Sequence, residues 1–256
     1  MCFDIKTNLN TQLKRAYYND RDLNKNLIEK FKNQIPENYF HVSGFSHPKM
    51  IIYTNEDPFL PTISNWGLIP FWTKDEKQAN SIRSKTLNAR GETIFEKPSF
   101  RKAARTNRCI IHIDGFYEHH HFKGKTYPFY IYQKNEEPIT LGGLWDEWIN
   151  KNSGEIIHSF SIITTKANSL MKKIHNNPKL KEGRMPVIIK RENEDKWLNA
   201  KNSADCINFL DPIDEDFLIA HNVGKIKGKN SKGNHPKVHS KITYDELSHF
   251  NSMSHS

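Results

Sequence analysis

Cysteine is scarce in this chain: Cys2, Cys109 and Cys206 are the three among 256 residues, and no two of them form a Cys-x-x-Cys pair. That excludes a disulfide framework and a paired-cysteine zinc site, and it reads as a reducing compartment. Also missing is any apolar run approaching the roughly 20 residues needed to cross a bilayer. The N-terminus turns polar at Asp4, so neither a signal peptide nor a membrane span is expected. No internal repeat divides the chain, and one soluble, cytoplasmic domain over residues 1–256 is the expectation. Acidic residues are outnumbered, 29 Asp and Glu against 38 Lys and Arg, giving a net charge of +9. A basic balance of that size favours polyanions such as nucleic acid over acidic small molecules.

What is present is mostly β. "MIIYT", "RCIIHIDGFYEHH", "YPFYIYQ", "IIHSFSIITT" and "RMPVIIK" are short, rich in β-branched and aromatic residues, and mostly bounded by Gly, Pro, Asn or Lys. Leu23, Leu27, Ile28 and Phe31 recur at helical spacing and Pro36 closes the segment, which predicts an amphipathic helix over 20–34. Shorter helices are expected at "KANSLMKKIH", "NEDKWLNA" and "TYDELSHF". Strands outnumbering helices predict an α+β fold: one β-rich domain with a mostly antiparallel sheet flanked by short helices. Residues 224–240, rich in Gly, Asn and Lys, are expected as a mobile basic loop, and residues 250–256 as a frayed tail.

The candidate chemistry is dispersed. If Met1 is removed, Cys2 carries an α-amine and a thiol on adjacent carbons, with ordinary pKa values of about 7.7 and 8.5. Such a pair can trap one aldehyde carbon twice, first as an imine and then as a five-membered thiazolidine. "LNARGET" places Asn88, Arg90 and Glu92 at alternate positions, on one face if the segment is extended. "IDGFYEHHH" carries a turn signal at Asp114 and Gly115 and delivers Glu118 into a strand beside Phe116 and Tyr117, where desolvation can raise a carboxyl pKa toward general-acid use. His119, His120 and His121 are consecutive and alternate across a strand, so they do not read as a metal site. His175 reads as a histidine at a helix C-terminus. In "WGLIPFW", Trp66 is expected in the core, while Trp72 is open to a core or a base-stacking role.

Taken in order, Cys2, "WGLIPFW", "NARGETIFEKPSFR", "RCIIHIDGFYE", "FSIITTKAN" and His175 followed by "RMPVII" resemble the SOS response-associated peptidase (SRAP) family, whose members crosslink themselves to abasic sites in single-stranded DNA. The resemblance spans roughly residues 2–190, and it implies that the mostly antiparallel sheet is barrel-like. It implies self-processing of Met1, after which Cys2 forms a thiazolidine with the ring-opened sugar. It also implies that Asn88 positions Cys2, that Glu118 is the acid and base, and that His175 assists proton transfer and reversal. Arg90 and Arg184 then become phosphate clamps, with Trp72 and Thr164 lining the DNA path. No cofactor or metal is implied. The implied partner is single-stranded DNA containing an abasic site, handled by a cytoplasmic monomer that is nucleoid-associated when bound.

Three departures from the family pattern stand out. Phe3 and Asp4 replace the usual Gly-Arg after the cysteine, His119 replaces the usual Trp, and eight residues, "NNPKLKEG", separate His175 from Arg184 where many members have one. Two other functions share these features. An N-terminal-nucleophile amide hydrolase would use the same cysteine against an amide, and a non-catalytic single-strand-binding module would use only the basic groove and aromatic platform.

Overall fold

Branched and aromatic side chains lose least freedom on extended backbone, and the runs that carry them become strands. The computed structural model describes residues 2–19 and 23–247; the expected tail at 250–256 lies outside them. In chain order the first strands are β1 (Asp4–Asn8), β2 (Asn38–Ser43), β3 (Lys49–Thr54), β4 (Thr62–Trp66), β5 (Asn88–Arg90) and β6 (Arg108–Ile113). They are followed by β7 (Gly115–Phe122), β8 (Lys125–Gln133), β9 (Ile139–Ile149), β10 (Ile156–Lys166), β11 (Arg184–Pro186) and β12 (Leu218–Asn222).

Strands β10, β4, β3, β6 and β9 pair in sequence, and β9 pairs back onto β10, so the five close a barrel. β5 and β11 extend the pairing along the C-terminal part of β10. A second sheet, ordered β12-β8-β7-β1-β2 and antiparallel throughout, packs against the barrel. Parallel pairing occurs where β10 meets β4 and β5. The fold is thus the α+β, mostly antiparallel one that the balance of strands and helices implied, with the barrel-like form that the family resemblance implied. The helices are short. The expected 20–34 helix is observed as Leu23–Phe31, with residues 20–22 outside the described set.

The Asp114-Gly115 signal does not make a hairpin. β6 belongs to the barrel and β7 to the second sheet, and Asp114 alone carries the chain between them. Glycine follows because a Cβ at Gly115 would lie 2.5 Å from the Ile131 carbonyl oxygen and 2.7 Å from the Tyr130 ring. The crossing also sorts side chains by face. Ile5, Phe116, Phe129 and Ile131 of the second sheet meet Ile52, Ile111, Phe160 and Ile162 of the barrel in the main core. Tyr117 and Tyr130 face the other way. There they form a smaller cluster with Val223, Ile226 and Val238, which seats the 224–240 segment on the outer face of the sheet while leaving its lysines exposed.

Candidate functional site

The register of β1 against β7 places the start of the chain. Asp4 lies opposite Tyr117 and Ile5 opposite Phe116; continuing that antiparallel register brings residues 2 and 3 alongside Glu118 and His119. Cys2 is 1% exposed and belongs to the main core. Burial pushes its thiol well above the ordinary value, opposed by the positive chain terminus and reinforced by the nearby negative charges of Glu118 and Asp4. The sulfur is therefore held as a thiol and needs a base before it can act as a nucleophile. Cys109 and Cys206 are also free and buried, in the walls of the barrel and its flank.

Asn88 reaches Cys2 from the first residue of β5. Its Nδ2 donates to the Cys2 carbonyl at 2.9 Å. Its Oδ1 is buried with no hydrogen-bond partner among the described residues. One end of the amide thus fixes the backbone of Cys2, and the other is an acceptor left over beside it. β5 ends at Arg90, and a 3₁₀ turn over Gly91–Thr93 follows, so Glu92 does not continue the alternation expected from "LNARGET".

Glu118 and His175 meet across the mouth of the same region. His175 Nδ1 is 3.8 Å from Glu118 Oε2, and Glu118 Oε1 accepts from the His119 amide at 2.9 Å. His175 caps the C-terminus of the helix Ser169–Ile174. Its Nδ1 lies 2.9 Å from both the amide nitrogen and the carbonyl oxygen of Arg184, so the loop 176–183 leaves and returns to one point. Burial lowers the His175 pKa, with Glu118 opposing; at neutral pH the imidazole is neutral and able to accept a proton. A cleft of about 360 Å³ is lined by Phe3, Glu118, His175 and His121, with Asn177 and Leu180 of the 176–183 loop on its rim. That loop is tied down from the side by Asn176, which accepts from the His121 amide at 2.7 Å and donates to its carbonyl at 3.0 Å.

The two arginines occupy different environments. Arg90 is 56% exposed and pairs loosely with Glu182 at 3.6 Å, with the Glu92 charge also nearby. Arg184 is 3% exposed, and its fork is filled. It donates to Glu92 through both terminal nitrogens at 2.7 and 2.9 Å, to Glu182 at 3.2 Å, and to the Thr164 carbonyl at 2.7 Å. Burial pushes the Glu92 carboxyl up, but the Arg184 fork outweighs it and holds Glu92 below its ordinary value. Thr164 is fully buried, with its hydroxyl donating to Ala89 O at 3.4 Å. Trp66 is fully buried and donates to Leu87 O, whereas Trp72 is 39% exposed and donates to Pro98 O at 3.3 Å. The structure therefore brings Cys2, Asn88, Glu118 and His175 together, places Arg90 and Trp72 at the surface, and sinks Arg184 and Thr164 beneath it.

Two more clefts adjoin the central one. One of about 280 Å³ shares Leu180 with it and is lined by Arg90, Lys181, Glu182 and Arg184. The other, of about 250 Å³, shares His119 and Thr126 with it and is lined by Lys225, Ile226 and Lys227. Sequence reasoning missed the last group, because nothing local links residue 225 to residue 119. It also missed Glu92 and Glu182 as partners of Arg184, although an acid two residues before a buried arginine is a usable signal. Among the described residues, no group of three His, Cys, Asp or Glu side chains is placed to hold a metal ion.

Comparison with known proteins gives a consistent picture. The family model described as SOS response associated peptidase (SRAP) matches residues 1–229. The chain is 39% identical over 224 residues to a Bacillus subtilis (strain 168) protein named Abasic site processing protein YoqW, covering 83% of this chain and 92% of that one. It is 29% identical over 193 residues to a Xenopus tropicalis protein named Abasic site processing protein HMCES, covering 67% of this chain and 54% of that longer one. A crystal structure of a Bacteroides thetaiotaomicron protein superposes with a TM-score of 0.81 at 34% identity, covering 94% of this chain and all of that one.

Proposed function

The chain belongs to the SOS response associated peptidase (SRAP) family, and from that premise we propose that it processes abasic sites in single-stranded DNA by linking Cys2 covalently to the lesion. The link is a thiazolidine that shields the damaged strand. In this reading Met1 is first removed by hydrolysis of its peptide bond to Cys2, which frees the α-amine. Glu118 protonates the deoxyribose ring oxygen as the sugar opens to its aldehyde. The α-amine then adds to the aldehyde carbon, and loss of water leaves the imine. Addition of the thiol across the C=N bond, sulfur to carbon and proton to nitrogen, closes the five-membered ring.

The residues divide this work by position. Asn88 holds the Cys2 backbone, and its spare Oδ1 is an acceptor for the freed ammonium. His175, neutral at working pH, takes and returns protons beside Glu118. Arg90, exposed, meets a backbone phosphate directly; Arg184 meets one only by handing over a carboxylate that now fills its fork. Trp72 offers a face for a base beside the path, and Thr164 acts through the Arg184 guanidinium it contacts. The single observation that carries the reading is that Cys2, held by Asn88, is buried near enough to feel the Glu118 charge, while Glu118 and His175 meet in the wall of one cleft.

Incubation of the protein with an oligonucleotide bearing one abasic site, followed by a denaturing gel, tests it. The expected result is a band of retarded mobility that survives denaturant, is absent with Cys2→Ala, and comes from protein whose intact mass lacks Met1. A stable band from Cys2→Ala, or full crosslinking by protein that retains Met1, overturns the mechanism.

A further inference from the structure

The outer face of the second sheet carries an ion cluster that the reaction at Cys2 does not use. Asp4, two residues beyond the cysteine, is 4% exposed. Its Oδ1 lies 3.0 Å from His41 Nε2, and its Oδ2 accepts from Lys227 Nζ at 2.7 Å. Burial raises the Asp4 carboxyl, but His41 and Lys227 outweigh it and hold its pKa below the ordinary value, so the carboxylate is charged throughout the working range. Lys227 arrives from the 224–240 segment, which is anchored from both sides. Ile226 and Val238 pack on Tyr117 and Tyr130. The Asn234 side chain accepts from the His41 amide at 3.2 Å and donates to Asn38 O at 3.0 Å. Ile226 turns inward, so Lys225 and Lys227 on either side of it turn out, and together they line the cleft that adjoins the Glu118–His175 cleft at His119 and Thr126.

Lys227 keeps about half its side chain in solvent and spends one of its three N–H donors on Asp4. The pair therefore orients an ammonium group without using it up, and the ordering cost of a long side chain is met before any ligand arrives. We propose that Lys225 and Lys227, held by Ile226 and Asp4, form a second phosphate-binding arm for the single-stranded DNA, on the opposite flank of the lesion from Arg90. This rests on the function proposed above and adds to it where the strand runs: in at one side of the central cleft past Arg90, out at the other past Lys227.

The test uses single-stranded oligonucleotides carrying a tetrahydrofuran abasic analogue, which has no aldehyde and so reports reversible binding alone. Affinity is read by fluorescence anisotropy across a salt titration, with nucleotides on both flanks of the lesion, on the 5′ flank only, or on the 3′ flank only. One phosphate contact contributes a slope of about 0.7 in log affinity against log salt for a single strand, a factor of about five near 0.1 M. Lys227→Ala should therefore weaken binding about fivefold and flatten the slope by about 0.7. Lys229→Ala, a neighbouring exposed lysine that lines none of these clefts, should match the parent. The loss from Lys227→Ala should vanish when one flank is removed, and the loss from Arg90→Ala when the other is. If the parent binds while Lys227→Ala matches it in affinity and slope, or if both losses follow the same flank, the second arm is refuted. If the parent shows no salt-dependent affinity for single strands, the functional reading itself falls.

Discussion

Replacing Arg184 by alanine tests whether this buried residue clasps the site together, with the exposed Arg90 as the comparison. The guanidinium is 3% exposed and joins three parts of the chain: Glu92 after β5, Glu182 on the 176–183 loop, and the Thr164 carbonyl of β10. Its removal strands a buried carbonyl and leaves Glu92 without its bidentate partner. Breaking a buried ion pair from one side costs about 3–5 kcal/mol. Glu92 is 41% exposed and regains water, so the low end, about 3 kcal/mol, is the appropriate figure. At about 2–4 °C per kcal/mol for a chain of this size, the melting temperature should fall by roughly 6–12 °C. Arg90→Ala, removing an exposed side chain in a loose ion pair, should leave it within about 2–4 °C of the parent, since exposed pairs contribute at most about 1 kcal/mol. Scanning calorimetry of both variants, paired with single-strand affinity well below the melting range, provides the readout. If Arg184→Ala melts with the parent, the buried fork is not a structural clasp and the reasoning from its geometry is wrong. If Arg90→Ala melts early but binds normally, the two roles have been assigned the wrong way round.

Glu118→Gln keeps the shape of the side chain and removes its proton, and should slow single-turnover crosslinking by about 10²- to 10⁴-fold with little change in affinity; a parent rate between pH 5 and 9 would leave Glu118 a structural residue of β7. His175→Ala should have a smaller effect on formation than on reversal of the link, followed by release of free oligonucleotide from the purified conjugate. Asn88→Ala removes the donor to the Cys2 carbonyl, and losing about 1–3 kcal/mol of positioning should slow crosslinking roughly 5- to 150-fold without preventing folding; unchanged rates would refute a positioning role. Burial raises the Glu194 carboxyl, but His112, Thr140 and Arg15 overcome it and bring its pKa from 4.5 to about 2. The difference is a stabilisation of about 3 kcal/mol, complete above pH 4.5 and lost as pH falls toward 2. Denaturation of Glu194→Gln against the parent should therefore show a gap at pH 7 that closes near pH 2.

Sequence alone determined the class of fold and the types of residue the chemistry requires, because both are written locally. Short runs of β-branched and aromatic residues mark β3, β6, β8 and β10, and an amine beside a thiol is a property of one residue. β9 was not legible: "ITLGGLWDEWI" carries two adjacent glycines, which local strand propensity disfavours, yet it is an eleven-residue strand of the barrel. The reason is tertiary. A Cβ at Gly143 would lie 2.7 Å from Ile111 Cδ1, 2.8 Å from Cys109 Sγ and 3.0 Å from Ser161 O, so close packing of neighbouring strands demands the residue that local propensity penalises. β1 was likewise silent, since a short strand with charged residues becomes one only by pairing with β2 and β7. At the site, sequence supplied Cys2, Asn88, Glu118 and His175 as candidates, but only the closure of the barrel against the second sheet decided that they meet. Burial and charge pairing made the last distinctions: two arginines alike in sequence became one exposed and one enclosed, and a lysine 223 residues from Asp4 came to pair with it. Such contacts depend on which elements the core brings together, and no window of neighbouring residues contains them.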